Sequence, residues 1–134
     1  MATFRRFEDI EAWQRARDLT SAVYEAAEQA RFARDLRFAG QITSAAVSVM
    51  SNIAEGFERD NRKDFLQFLY IAKGSAGEVR SQLYVALDRK YITQAQFESL
   101  YGAVLLTSRL VAALIAYLQH TRITGGRHKV QLET

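Results

Sequence analysis

The chain contains no cysteine, no proline, two methionines and one tryptophan in 134 residues. Without cysteine there is neither a disulfide framework nor a thiolate metal site, and nothing points to an oxidising compartment. Without proline no helix is interrupted by a ring that removes an amide donor. Histidine is nearly absent too. Only His120 and His128 occur, and neither has a carboxylate or a second histidine at ligand spacing. The di-metal carboxylate chemistry of helical bundles needs inward glutamates and Glu-x-x-His pairs, and the chain has none. No serine stands in a nucleophile elbow. Glu55 and Glu78 are the best isolated carboxylate candidates, and hydrogen bonding to Asn52 or a serine, or pairing with an arginine across helices, explains either without catalysis. The expectation is a non-enzymatic protein without cofactor or metal.

Other absences bear on location. The opening residues MATFRRFEDIEAW lack an apolar core followed by a small-residue cleavage site, unlike a signal peptide. The stretch from Phe38 to Phe57 is long enough to cross a bilayer, but Gln41, Thr43, Ser44, Ser48, Ser51, Asn52 and Glu55 interrupt it. A cytoplasmic protein with no membrane partner is expected.

What is present is helical. The chain is 49% hydrophobic, and its apolar residues recur every three or four positions rather than every two. Four segments follow. The first, Glu8 to Gln29, places Ile10, Trp13, Thr20, Val23, Tyr24 and Ala27 on one face, with Glu8, Asp9 and Glu11 in an opening turn where the helix dipole favours acids. An arginine-bearing connection, ARFARDLR, leads to the second, Phe38 to Phe57. The third starts after Asn61 as N-cap, with the stripe Phe65, Phe68, Leu69, Ala72, Ala76, Val79, Leu83 and Leu87. Thr93 and Gln96 form a capping-box pattern that opens the fourth, which reaches His120. Its stripe runs from Phe97 and Leu100 to Ile115 and Leu118.

Helices of this length with short connections imply an all-α, antiparallel up-down-up-down four-helix bundle. Residues 1–120 form one domain, and residues 121–134 a basic, flexible C-terminal tail. In the third helix, Gly74 to Gly77 reads GSAG but lacks the strand, lysine and hydroxyl of a phosphate loop. Close helix packing is the expected reason for glycines there.

The second helix is unusual. Ile42, Ala46, Val49, Ile53 and Phe57 make one core stripe, and Thr43, Val47, Met50 and Ala54 make another about 100° away. Ser44, Ser48, Ser51, Asn52 and Glu55 are short or polar. A second copy of the chain is the expected cover, through Thr43, Val47, Met50, Ser51 and Ala54, because bare apolar faces are rare on isolated domains. Deep burial inside its own bundle is the alternative.

The net charge is +3, carried by fourteen arginines and four lysines against fifteen acids. Arginine pairs bidentately with phosphate or carboxylate, so a polyanion or an acidic partner is expected. The bundle topology gathers the N-terminal arm, the second connection and the tail at one end. Arg5, Arg6, Arg59, Arg62, Lys63, Arg122, Arg127 and Lys129 are the expected phosphate contacts there. The other end carries Arg31, Arg34, Arg37, Arg89 and Lys90 against Asp35 and Asp88. No aromatic is interleaved with these charges in an RNA-recognition pattern, so base reading is not expected.

FEDIEAWQRARDL at Phe7 to Leu19, AAVSVMSNIAEG within Gln41 to Gly56, and KDFLQFLYIAKGSAGEVRSQL at Lys63 to Leu83 together resemble the bacterial four-helix-bundle proteins encoded in intervening sequences of 23S ribosomal RNA. The chain is more distantly similar to the accessory proteins of diversity-generating retroelements. The resemblance spans roughly residues 7 to 118. It departs at Met50, where the family commonly has proline, and the tail has no counterpart. The resemblance implies a homopentameric barrel of bundles with no established enzymatic activity. The distant one implies binding to nucleic acid and to a reverse transcriptase. Two functions follow as expectations: an oligomer that binds structured RNA or other nucleic acid through arginine-rich ends, or a protein-binding scaffold, such as an accessory subunit of a nucleic-acid enzyme.

Overall fold

Four long helices account for most of the chain in the computed structural model, which describes residues 3–120 and 130–131. After a short strand β1, Thr3–Phe4, and a 3-10 turn, Phe7–Asp9, come α1 (Glu11–Ala27), α2 (Ala30–Arg34), α3 (Leu36–Glu58), α4 (Arg62–Asp88) and α5 (Gln94–Gln119). The two-residue strand β2, Val130–Gln131, pairs antiparallel with β1, Thr3 opposite Gln131. Of the expected tail, only these two residues are described.

The helices start where side chains satisfy their free amides. The Asn61 side chain accepts from the Asp64 N–H at 2.8 Å. Thr93 Oγ1 accepts from the Gln96 N–H at 3.1 Å, and Gln96 Oε1 accepts from the Thr93 N–H at 2.8 Å, a reciprocal capping box. The start of α1 differs from expectation. Glu8 and Asp9 lie in the 3-10 turn, where the Asp9 carboxylate accepts from the N–H groups of Arg5 and Arg6 at 3.2 and 3.3 Å. That local bonding competes with helix and delays α1 to Glu11.

Each long helix packs against its sequence neighbour, with α2 connecting α1 to α3, and α1 closes the ring against α5. Contacting pairs give the directions. Ser48 meets Ser75 and Phe57 meets Phe65, so numbers rise on α3 as they fall on α4. Tyr70 with Gln119, Arg80 with Tyr101 and Tyr84 with Phe97 do the same for α4 and α5.

The core follows the α3, α4 and α5 stripes, with Phe68 and Leu87 of the α4 stripe only half-buried. Ile42, Ala46, Val49, Ile53 and Phe57 are all buried, as are Phe65, Leu69, Ala72, Ala76, Val79 and Leu83. Full burial of a Leu, Val, Ile or Phe contributes roughly 1.5–3 kcal/mol relative to exposure. Of the expected α1 face, Ile10, Val23 and Ala27 are buried and Trp13 and Thr20 half-buried, but Tyr24 is 47% exposed, and Ala12, Ala16, Leu19 and Ala26 complete the inner face. Alanine brings helix backbones together, so it outranks the larger Tyr24 on the packed face.

The small residues of α3 turn toward α4. The Ser48 and Ser75 hydroxyls are 2.8 Å apart, and Asn52 Nδ2 donates to Ser48 Oγ and to the Ser48 carbonyl at 2.9 and 2.7 Å. At Gly56 a Cβ would lie 2.7 Å from Phe68 Cβ, too close to exist without movement. The close contact expected of the GSAG run is therefore made by Gly56. A Cβ at Gly74 or Gly77 would meet nothing within 4 Å.

Helix α5 is long and apolar enough to cross a bilayer by length and composition alone. Its stripe Phe97, Leu100, Val104, Val111, Leu114 and Leu118 is spent inside the bundle. Its outer face is also poor in charge, with Ser99, Gly102, Leu106, Ala113 and Ala116 exposed around Arg109.

Candidate nucleic-acid interface

Two clusters of cations stand at opposite ends of the bundle. The first joins the start of α1 to the α3–α4 connection. Its described cations, Arg5, Arg6, Arg59, Arg62 and Lys63, are all exposed. Several are already engaged. Arg59 pairs with Glu55 at 3.0 Å and lies 4.9 Å over the Phe68 ring. Arg6 meets Glu8 at 3.5 Å, and Arg62 Nη1 donates to the Leu118 carbonyl at 3.5 Å. Glu8, Asp9, Glu55, Glu58, Asp60 and Asp64 share this end, so helix-terminal acids that a count of loops alone leaves out offset the cations. Arg122, Arg127 and Lys129 lie outside the described residues, as does His128.

The second cluster is assembled by an aromatic knot. Phe32 of α2 stacks on Phe38 of α3 with centroids 5.5 Å apart, and on Tyr91 of the α4–α5 connection at 5.3 Å. The Tyr91 hydroxyl donates to Asp35 Oδ2 at 2.7 Å, while Asp35 Oδ1 accepts from the Phe38 N–H at 3.2 Å and caps α3. The Tyr91 bond and then the Phe38 N–H hold the Asp35 carboxyl below its ordinary range against an opposing effect of burial, with the nearby Arg89 and Arg37 charges adding less. The Arg31 guanidinium lies 5.9 Å over the Tyr91 ring. Arg34 adjoins Asp35 in the chain, and Lys90 adjoins Tyr91 in a left-handed turn with φ 59°. Among the described residues none of Arg31, Arg34, Arg37, Arg89 or Lys90 forms an ion pair with a carboxylate.

An arginine–aromatic contact between α4 and α5 escapes sequence reading because its members sit on different helices. Arg80 of α4 lies 5.5 Å over the Tyr101 ring of α5 and donates to its hydroxyl at 3.1 Å. That bond lowers the Tyr101 pKa.

Of the five residues expected at a subunit interface, four keep accessible surface. Thr43 is buried, and its hydroxyl donates to the Ala39 carbonyl at 2.7 Å. Val47, Met50 and Ala54 are half-buried, and Ser51 is exposed. Large apolar side chains are exposed on α4 at Tyr70, Ile71, Tyr84 and Val85, and on the other helices at Tyr24, Leu36 and Leu106. Among the described residues no group of three histidines, aspartates or glutamates converges as a metal site would. Glu55 is taken by Arg59, and Glu78 accepts from Gln82 Nε2 at 3.4 Å.

Residues 8–113 match the family described as 23S rRNA-intervening sequence protein. Among solved structures, a protein of unknown function from the S23 ribosomal protein family of Bacteroides thetaiotaomicron is similar in fold. Its TM-score is 0.73 at 22% identity, over 78% of this chain and 95% of that one. At that identity the likeness speaks for the fold alone. No curated protein matches the chain.

Proposed function

The chain belongs to the 23S rRNA-intervening sequence protein family, and we propose that it is a non-enzymatic, oligomeric helical-bundle protein that binds structured RNA through arginines at its bundle ends. The observation that carries this reading is the cluster Arg31, Arg34, Arg37, Arg89 and Lys90, exposed at one end without a carboxylate ion pair among the described residues. Cations outside ion pairs suit a polyanion, because each phosphate they neutralise releases a condensed counterion. Arginine adds the planar fork that fits phosphate oxygens two at a time.

Two features of α4 support the oligomeric part of this reading. Gly74 and Gly77 stand in a helix interior where glycine costs about 1 kcal/mol against alanine, yet nothing in their own bundle occupies the vacant space. Tyr70, Ile71 and Val85 flank them on α4 and are 51%, 45% and 43% exposed. A second copy would cover this face, and five copies is the number the family resemblance implies. Several cationic ends in one particle turn weak contacts into avid binding when one RNA reaches more than one of them.

The exposed apolar face of α4 also suits a different partner, an enzyme for which the chain would be a scaffold. The separating experiment is capture of partners by the tagged protein before and after nuclease digestion. RNA-dependent recovery supports the first reading. A protein partner retained after digestion, with no RNA enriched beforehand, contradicts it.

A further inference from the structure

We infer that the bundle end formed by α2, the start of α3 and the α4–α5 connection is the main docking surface for the phosphate backbone of a folded RNA, in preference to the opposite end. The inference rests on the nucleic-acid reading above and adds to it the place of contact.

Three observations carry it. The first is fixed spacing. Arg31 is held over the Tyr91 ring, Arg34 and Arg37 flank the Asp35 cap of α3, and Arg89 and Lys90 flank Tyr91 itself. Because the Tyr91–Asp35 bond ties the two connections together, five cations from three separate elements form one array. A pre-arranged array loses less conformational freedom on binding than five cations on independent loops.

The second is the state of the nearest acid. Both Asp35 oxygens already accept hydrogen bonds, one from Tyr91 and one from the Phe38 N–H. Asp35 thus builds the array and forms no direct ion pair with its arginines. The third is contrast. At the opposite end Arg6 and Arg59 are in ion pairs, whereas Glu28, Asp35 and Asp88 at this end form none with the five cations. A phosphate approaching the opposite end displaces existing pairs.

Lys90 adds a local detail. It occupies the left-handed position after α4, where glycine is the usual residue, and so a cation is kept at a point where the backbone favours a residue without a side chain.

The test compares two full-length variants with the same loss of charge, Arg31→Gln/Arg34→Gln/Arg37→Gln and Arg59→Gln/Arg62→Gln/Lys63→Gln. Binding of a fluorescein-labelled RNA hairpin is followed by anisotropy over a salt series, after circular dichroism has established that both are folded. The first variant is expected to lose about tenfold or more in affinity at low salt and to flatten the log–log salt dependence by roughly two units. The second is expected to change affinity by less than about threefold. Arg89→Gln/Lys90→Gln, on a different connection, provides the same reading should the first variant unfold.

An equal loss in both variants, or the larger loss in the second, overturns the assignment while leaving RNA binding in place. No binding by the unaltered protein removes the nucleic-acid reading as well. Binding to phosphatidylserine vesicles that requires Arg31, Arg34 and Arg37, alongside RNA binding that does not, also overturns it.

Discussion

The Tyr91 hydroxyl donates to the Asp35 carboxylate at 2.7 Å, joining the start of α3 to the connection between α4 and α5. This bond lowers the Asp35 pKa from its ordinary 3.8 and raises that of Tyr91 from 10.0. For Asp35, the resulting stabilisation is complete above about pH 3.8 and is lost as pH falls through the lowered value. For Tyr91, it is complete below about pH 10.0 and is lost as pH rises through the raised value. Tyr91→Phe is therefore expected to melt below the unaltered protein at neutral pH, with the difference narrowing as pH drops below 3.8. Thermal melts across that range check this. A difference that stays constant down to full protonation would mean the bond does not set the Asp35 charge.

Glycines in the interiors of α3 and α4 should respond in opposite directions. In Gly56→Ala the new Cβ meets Phe68 Cβ at 2.7 Å and the Phe65 carbonyl at 3.3 Å, so overpacking is expected to destabilise by about 1–3 kcal/mol. In Gly74→Ala the Cβ meets nothing within 4 Å, and the gain in helix propensity is expected to stabilise the bundle by up to about 1 kcal/mol. Urea unfolding of both variants measures these effects. Gly74→Ala also reports on assembly: a drop in particle mass in light scattering would place a neighbouring copy against Gly74.

Across the α3–α4 interface, the Ser48 and Ser75 hydroxyls form a pair at 2.8 Å that also accepts from Asn52 through Ser48. Either serine replaced by alanine should lose about 0.5–1.5 kcal/mol. A double-mutant cycle should show the two losses to be coupled, because both report on one contact. Strictly additive losses would mean that the hydroxyls do not interact.

Asn61→Ala and Thr93→Ala each remove an N-cap, from α4 and α5 respectively. Each is expected to cost about 0.5–2 kcal/mol. The caps are at opposite ends of α4, so the double variant should lose the sum of the two. Chemical denaturation of the four proteins settles it.

Much of this fold was legible in the sequence because the deciding interactions are local. Asn61 and Thr93 act on amides three residues away, and the stripes of α3, α4 and α5 follow from a constant helical period. The α1 face was not legible by the same means. Residue size points to Tyr24 as buried, while the actual face is chosen by how closely alanines let α1 approach its neighbours. Gly56 and the GSAG run show the same limit: sequence identifies glycines, but only the partner helix decides which one is crowded. The pairing of Thr3–Phe4 with Val130–Gln131 joins the two ends of the chain and has no local signal. For the candidate interface, the sequence supplies both sets of cations. It does not supply the bond from Arg62 to Leu118 or the attachment of Asp35 to Tyr91, which join residues 56 positions apart.

The central claim is that an assembly of this chain binds RNA through several phosphates at once. It is tested most directly by anisotropy titration of the unaltered protein against a structured RNA hairpin at four salt concentrations, with particle mass measured by light scattering in the same buffers. The account predicts a particle larger than one chain and an affinity that falls steeply and linearly in log–log form as salt rises. A single-chain particle, or no binding at the lowest salt, would contradict it.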